Sequence, residues 1–252
     1  MAAEQSLNKA LKVRRKLGND DDIAATLSNL GLLYNSIHKF DLTEEQYLEA
    51  LQIHLSRLES VDHNLSLTMV KHNLQRNAIQ SGRNIPPLSE LQETVDFFEA
   101  SISWWMKGHA YLVLGNLFLE LKRYDDASAA YSTAIDTLSD EGRASKQPAT
   151  AMVLYKLGYV AYQKSEFYEA AAIFRKSIAI SELYPAIPAE QARTQFMLAK
   201  ALHLIGQPKA AEEAKTKVAA LMKDYCMSIG TQGVIVCSEV GDFSKLITAK
   251  YQ

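Results

Sequence analysis

Apolar residues in this chain recur at steps of three and four, in runs the length of a helix, and the runs come in pairs. Tyr111, Leu114, Phe118 and Leu121 form one run; Ala127, Ala130, Tyr131, Ala134 and Leu138 form the next, after the polar break Arg123 to Asp126. Such steps put each set on one helical face, so the pattern predicts two helices folded back on each other. The first run of a pair carries a glycine in a fixed setting: Leu30-Gly31-x-x-Tyr34, Leu114-Gly115-x-x-Phe118 and Leu157-Gly158-x-x-Ala161. Gly115 lies 84 residues after Gly31, and Gly158 lies 43 after Gly115, which implies a period near 42 and an unmarked copy near residue 73. A fixed period of that size predicts a stack of like helix pairs in place of one globular core. Small residues mark where the paired helices cross closely, and a side chain at Gly115 would strike the partner helix, at a cost of about 1–3 kcal/mol.

The expected organisation is an array over residues 1–223, with units at about 22–58, 62–105, 107–142, 149–184 and 189–223. A half unit, 1–18, precedes them: Leu7, Ala10, Leu11 and Val13 form a stripe, and Gly18 ends the helix. Asp22 is the expected N-cap of the next helix. The second unit is degenerate. A helix over 65–80 with Met69 and Leu74 inward is broken by Ser81 to Pro87. Its second helix is expected to open on a capping box, Ser89-x-x-Gln92, and to continue through Leu91, Val95, Phe98 and Ile102. The last unit has Leu198-Ala199 in place of Leu-Gly, and its second helix starts at Pro208. Residues 224–252 leave the pattern and read as a short irregular tail, extended over 230–237 and helical over 242–251.

In order, Tyr111, Leu114, Gly115, Phe118, Ala127, Tyr131 and Ala134 fill the slots of a known motif, W-x2-L-G-x2-Y then A-x3-F. So do Leu154, Leu157, Gly158, Ala161, Ala170, Phe174 and Ser177, and again Leu27, Leu30, Gly31, Tyr34, Thr43, Tyr47 and Ala50. The chain thus resembles the tetratricopeptide repeat family. Its long period, Ala24 to Tyr34 and Asp62 to Asn64 resemble the repeats of kinesin light chains. The resemblance implies an all-α fold, a right-handed superhelical solenoid of antiparallel helix pairs. It implies a scaffold or adaptor, not an enzyme, that binds a peptide or helix of a partner in the concave groove. The mid-unit start also resembles a repeat region cut from a longer protein, such as the C-terminal repeats of fungal receptor-like ATPases. In that alternative the chain is a regulatory or sensor region, itself non-catalytic. The open first helix also leaves self-association through that end as an expectation.

In such repeats the groove is lined by first-helix residues off the Leu-Gly-Tyr stripe. Counted from each motif residue, these are Ser28, Asn29, Leu32 and Asn35; Leu112, Val113, Asn116 and Leu119; Tyr155, Lys156, Tyr159 and Tyr162; and Phe196, Met197, Lys200 and His203, with Arg193 just before. Asn29 and Asn116 are expected to hold a partner's backbone. Tyr155, Lys156, Tyr159, Tyr162, Arg193, Phe196, Lys200 and His203 make a mixed aromatic and basic surface suited to apolar anchors and an acidic group. Tyrosines at helical spacing also serve as packing residues between units, and the sequence leaves both readings open.

Composition narrows the field further. The 27 basic and 29 acidic residues are intermixed, which disfavours nucleic acid as a partner. No apolar run is long enough to span a membrane, and the first residues lack a secretory core. Two cysteines, Cys226 and Cys237, make no disulfide framework, so the cytoplasm is the expected compartment. The six histidines show no metal-ligand spacing, and no phosphate-binding or dinucleotide glycine pattern occurs, so neither metal nor cofactor is expected. Trp104-Trp105 reads as a seal between units.

Overall fold

Bare helix backbone under an aromatic ring sets how these helices pair. A Cβ placed on Gly115 would stand 2.5 Å from Tyr131 Cε1, one on Gly31 would stand 2.5 Å from Tyr47 Cε1, and one on Gly158 would stand 2.8 Å from Phe174 Cε1. Each ring is fully buried. The glycine therefore supplies the slot and the second helix supplies the ring, which stabilises by about 1.5–3 kcal/mol through burial alone. Gly108 repeats the device against Leu138, with a Cβ distance of 2.7 Å; the repeat motif does not include it.

The structure, a computed structural model, describes residues 2–56, 61–101, 103–139, 148–184 and 188–228. The regular elements among them are helices: α1 (Ala2–Leu17), α2 (Asp20–Ser36), α3 (Phe40–Leu55), α4 (Val61–Ser81), α5 (Leu88–Glu99), α6 (Trp104–Glu120), α7 (Tyr124–Ser139), α8 (Pro148–Gln163), α9 (Phe167–Ser181), α10 (Pro188–Leu204) and α11 (Pro208–Ser228). They divide into two compact units, α1–α5 and α6–α11.

In the first unit α1 lies on α2, α2 pairs with α3, and α3 packs on α4. Leu11, Leu27, Leu30, Tyr34, Tyr47, Ala50 and Val70 form its core. A buried amide chain joins α2 to α4: Asn35 Nδ2 donates to Asn77 Oδ1 at 3.2 Å, and Asn77 Nδ2 donates to the Phe40 carbonyl at 3.2 Å. The two asparagines stand one period apart, so α4 is the unmarked copy in register. Its hairpin partner α5 touches it over only a short stretch. Val13 and Leu17 on α1 stay exposed.

The second unit holds three hairpins, α6–α7, α8–α9 and α10–α11, with α7 on α8, α9 on α10, and α8 touching α10. Ile135 and Leu157 pack against two adjacent cores and so link one pair to the next. Ser177, in a slot held elsewhere by alanine, stays buried because its hydroxyl donates to the Ala151 carbonyl at 2.7 Å.

Four hairpin turns are copies of each other. The seventh residue after the motif position has a left-handed backbone: His38 (φ 56), Lys122 (φ 56), Ser165 (φ 64) and Gly206 (φ 75). In each, the next N–H reaches back to a carbonyl five residues earlier, as in Arg123 N to Phe118 O at 2.8 Å and Gln207 N to Leu202 O at 2.9 Å. This is the Schellman closure of a helix end. In α4 the left-handed residue is Gly82 (φ 68), two residues late, and a second one follows at Asn84 (φ 52).

Several local expectations need correction. The N-cap of α2 is Asn19, whose side chain accepts from the Asp22 N–H at 3.3 Å; Asp22 sits inside the helix. No capping box forms at Ser89, because α5 begins at Leu88 after Pro87 and Gln92 instead donates to Asp96 at 2.8 Å. The last helix runs to Ser228, past the expected break at 224. The expected extended and helical segments at 230–237 and 242–251, with Cys237, lie outside the described residues.

Candidate functional site

α8 and α10 bring the aromatic and basic residues of the second unit together. The Arg193 guanidinium lies 4.1 Å from the centre of the Tyr155 ring. Tyr155 stacks on Tyr159 with ring centres 6.4 Å apart, and tilts against Phe174 at 6.1 Å. Lys200 Nζ lies 5.1 Å over the Phe196 ring, and Tyr162 meets Phe167 edge-on at 5.4 Å. Helical spacing explains the grouping. Tyr155, Tyr159 and Tyr162 share one face of α8, while Arg193, Phe196 and Lys200 share one face of α10.

Exposure separates these residues. Tyr155 is only 5 % exposed, so it is a packing residue under Arg193. Tyr159, Tyr162, Lys156, Arg193 and Phe196 are half-buried, and Lys200 and His203 are exposed. Asn116 is half-buried, and its Oδ1 accepts from the Tyr131 hydroxyl at 2.9 Å, which ties one end of the amide to α7. Asn29 is exposed and lies in the other compact unit. Of the other groove positions, Asn35, Leu112, Val113 and Met197 are buried. The physical reason is the number of neighbours: a first helix within a stack packs on its own partner, on the preceding helix and on the next first helix. More than one stripe is therefore covered.

The electrostatics single out two groups. Burial lowers the Lys156 ammonium to a pKa of about 8; Arg193 pushes it the same way and Glu120 opposes. Burial also raises the Tyr155 hydroxyl, with Arg193 opposing. Arg193 Nε is buried without a hydrogen-bond partner. A cavity of about 250 Å³ opens beside this pair, lined by Met152, Tyr155, Ser177, Glu190 and Arg193 among others. Met152 and Glu190 were not legible as site residues, because they lie off the positions counted from the motif glycine. Among the described residues, no group of three or more His, Cys, Asp or Glu side chains gathers as a metal would need. None of the described helices is long and apolar enough to cross a membrane.

Residues 108–137, which hold the Gly115–Tyr131 crossing, match the family model of the tetratricopeptide repeat. The fold is a tetratricopeptide-repeat solenoid. The chain is similar in structure to BtubC (BKLC) from P. vanneervenii, with 19% identity, 94% of each chain covered and a TM-score of 0.67. It is also similar to a kinesin light chain protein of nearly identical TPR-like repeats from Podosopora anserina. That match has 16% identity, covers 79% of this chain and 95% of the other, and gives a TM-score of 0.60. The apo form of RapI matches with 14% identity over 87% of this chain and 90% of its own, at a TM-score of 0.61. At these identities the likeness is one of fold. No curated protein matches the sequence. Tetratricopeptide arrays generally serve as protein–protein interaction scaffolds.

Proposed function

We propose that this chain is a non-catalytic scaffold that holds a partner protein segment, with apolar anchors and an acidic group, on the α8–α10 face of its second unit. The observation that carries the reading is the setting of Lys156 and Arg193. Two cations on neighbouring first helices stand among Tyr155, Tyr159 and Phe196, and among the described residues neither is paired with a carboxylate. A partner carboxylate between them would offset their repulsion and raise the lowered pKa of Lys156. The adjoining cavity gives an apolar side chain a place against the Tyr155 ring. Tyr and Arg are the residues that most often carry interface energy.

The test uses a pool of synthetic peptides with leucine or phenylalanine anchors beside Glu or Asp. Lys156→Glu with Tyr159→Ala is expected to weaken binding about tenfold or more, a loss of about 1.4 kcal/mol. Arg175→Glu on the exposed face of α9 should leave binding unchanged. Equal binding by both variants rejects the site. Affinity should also hold steady below about pH 8 and decline above it, as Lys156 gives up its charge.

A further inference from the structure

The first unit holds a larger hollow with the opposite charge. It opens between α3, α4 and α5, with a volume of about 540 Å³. Its origin is the late turn of α4. Because Gly82, and a further left-handed residue at Asn84, postpone the reversal, α5 leaves α4 after a short contact and a trough stays open where the other hairpins close. Leu48, Leu51 and Phe97 supply apolar walls, and Leu48 is 49 % exposed. Three carboxylates line it, Glu44 from α3 and Glu90 and Glu93 from α5. Two cations face them, Lys71 and Arg83, and Arg83 is already paired with Asp41 at 2.7 Å. The trough is acidic in balance. Gln75 also lines it; its amide N–H donates to the Glu90 carbonyl at 3.1 Å, while its Oε1 is buried with no donor.

We propose that this trough is a second docking surface, for an amphipathic helix of a partner protein that carries Lys or Arg beside an aliphatic anchor. Apolar walls under a carboxylate rim complement such a helix in both respects. Glu44, Glu90 and Glu93 on the lining give an incoming ammonium or guanidinium group its acceptors. α8 in the second unit is packed by α7, α9 and α10, whereas α4 meets α5 only briefly. A partner helix would complete that packing.

The probe is a pool of synthetic helices of about four turns, with two leucines on one face and flanking positions randomised among Lys, Glu and Gln. The pool is bound to the full chain, and the retained peptides are sequenced. Retained sequences should favour Lys over Glu about tenfold, with affinity falling several-fold as salt rises from about 50 to 200 mM. Glu44→Lys with Glu93→Lys should reverse the preference. Leu48→Ser should weaken binding about tenfold while leaving the preference for Lys in place. Leu48 is solvent-exposed, so that variant folds even where the double charge reversal does not; helix content by circular dichroism checks both. No enrichment, enrichment of Glu, a Lys preference that Glu44→Lys with Glu93→Lys leaves unchanged, or an affinity that Leu48→Ser leaves unchanged overturns the proposal.

Discussion

The hairpins α6–α7 and α4–α5 occupy the same place in the repeat and end differently. In α6–α7 a glycine lies under the Tyr131 ring, a three-residue turn with Lys122 left-handed closes the end, and α7 stays against α6 along its length. In α4–α5 the motif glycine is replaced by Asn73, the turn spans Gly82 to Pro87, and the second helix drifts away. The open trough thus goes with Asn73 at the motif position and a few extra turn residues; Ala199 at the same position leaves α10–α11 closed, so the longer turn is the difference that sets α4–α5 apart. The contrast also has a sign. The second unit, whose pairs are closed, presents cations among aromatic rings on α8 and α10, and the open trough of the first presents carboxylates among apolar residues.

The sharpest way to break the comparison is to fill the slot in the closed hairpin. Gly115→Leu is expected to destabilise the second unit by about 3 kcal/mol, because the Cβ alone already meets the Tyr131 ring. Loss of one pair also exposes its neighbours, since each unit leans on those beside it. Asn73→Leu, at the half-buried equivalent position in α4, should shift the urea midpoint far less. Similar losses at both sites would mean that the glycine slot is not what closes the pair.

Next in size is Lys156. Its folded pKa, about 8, lies below its ordinary value of 10.5. Between those two values the unfolded chain binds more protons than the folded one, so stability rises as pH goes from 8 to 10.5. Below 8 the cost of holding the charge is fully present. Lys156→Met should therefore stabilise the chain at pH 7 by on the order of 2 kcal/mol, with the gain vanishing near pH 10.5. Urea titrations at pH 7 and 10 check the sign, and a gain that is independent of pH contradicts it. The smallest effect concerns the turns. Ser165 holds a left-handed backbone that costs a non-glycine residue about 1 kcal/mol. Ser165→Gly should raise the melting temperature by about 2–4 °C, whereas the same change at Ser132, exposed in the middle of α7, should lower it.

The sequence made the closed hairpins readable and the sites much less so. Gly31, Gly115 and Gly158 are informative because a ring on bare backbone tolerates no substitute, so the residue and the geometry imply each other. Capping was harder. Asn19 and Asp22 are both good caps, and only the start of the helix decides between them. At Ser89 the motif was present but fell inside a helix that begins after Pro87. The groove positions failed in part, because a count along one helix ignores the two others that cover it. Asn35, predicted to face a partner, instead bonds Asn77. The trough could not be foreseen from any residue pattern, since it arises from a contact that α4 and α5 do not make.

The uniform turn has a practical corollary. Three residues separate the helices within each closed hairpin, while five lie between α3 and α4, eight between α7 and α8, and six between α9 and α10. Apart from the open α4–α5 pair, length variation thus falls in the joints between pairs. An epitope tag or reporter spliced into those joints should leave the array intact, and the same insert at Lys122 or Ser165 should not.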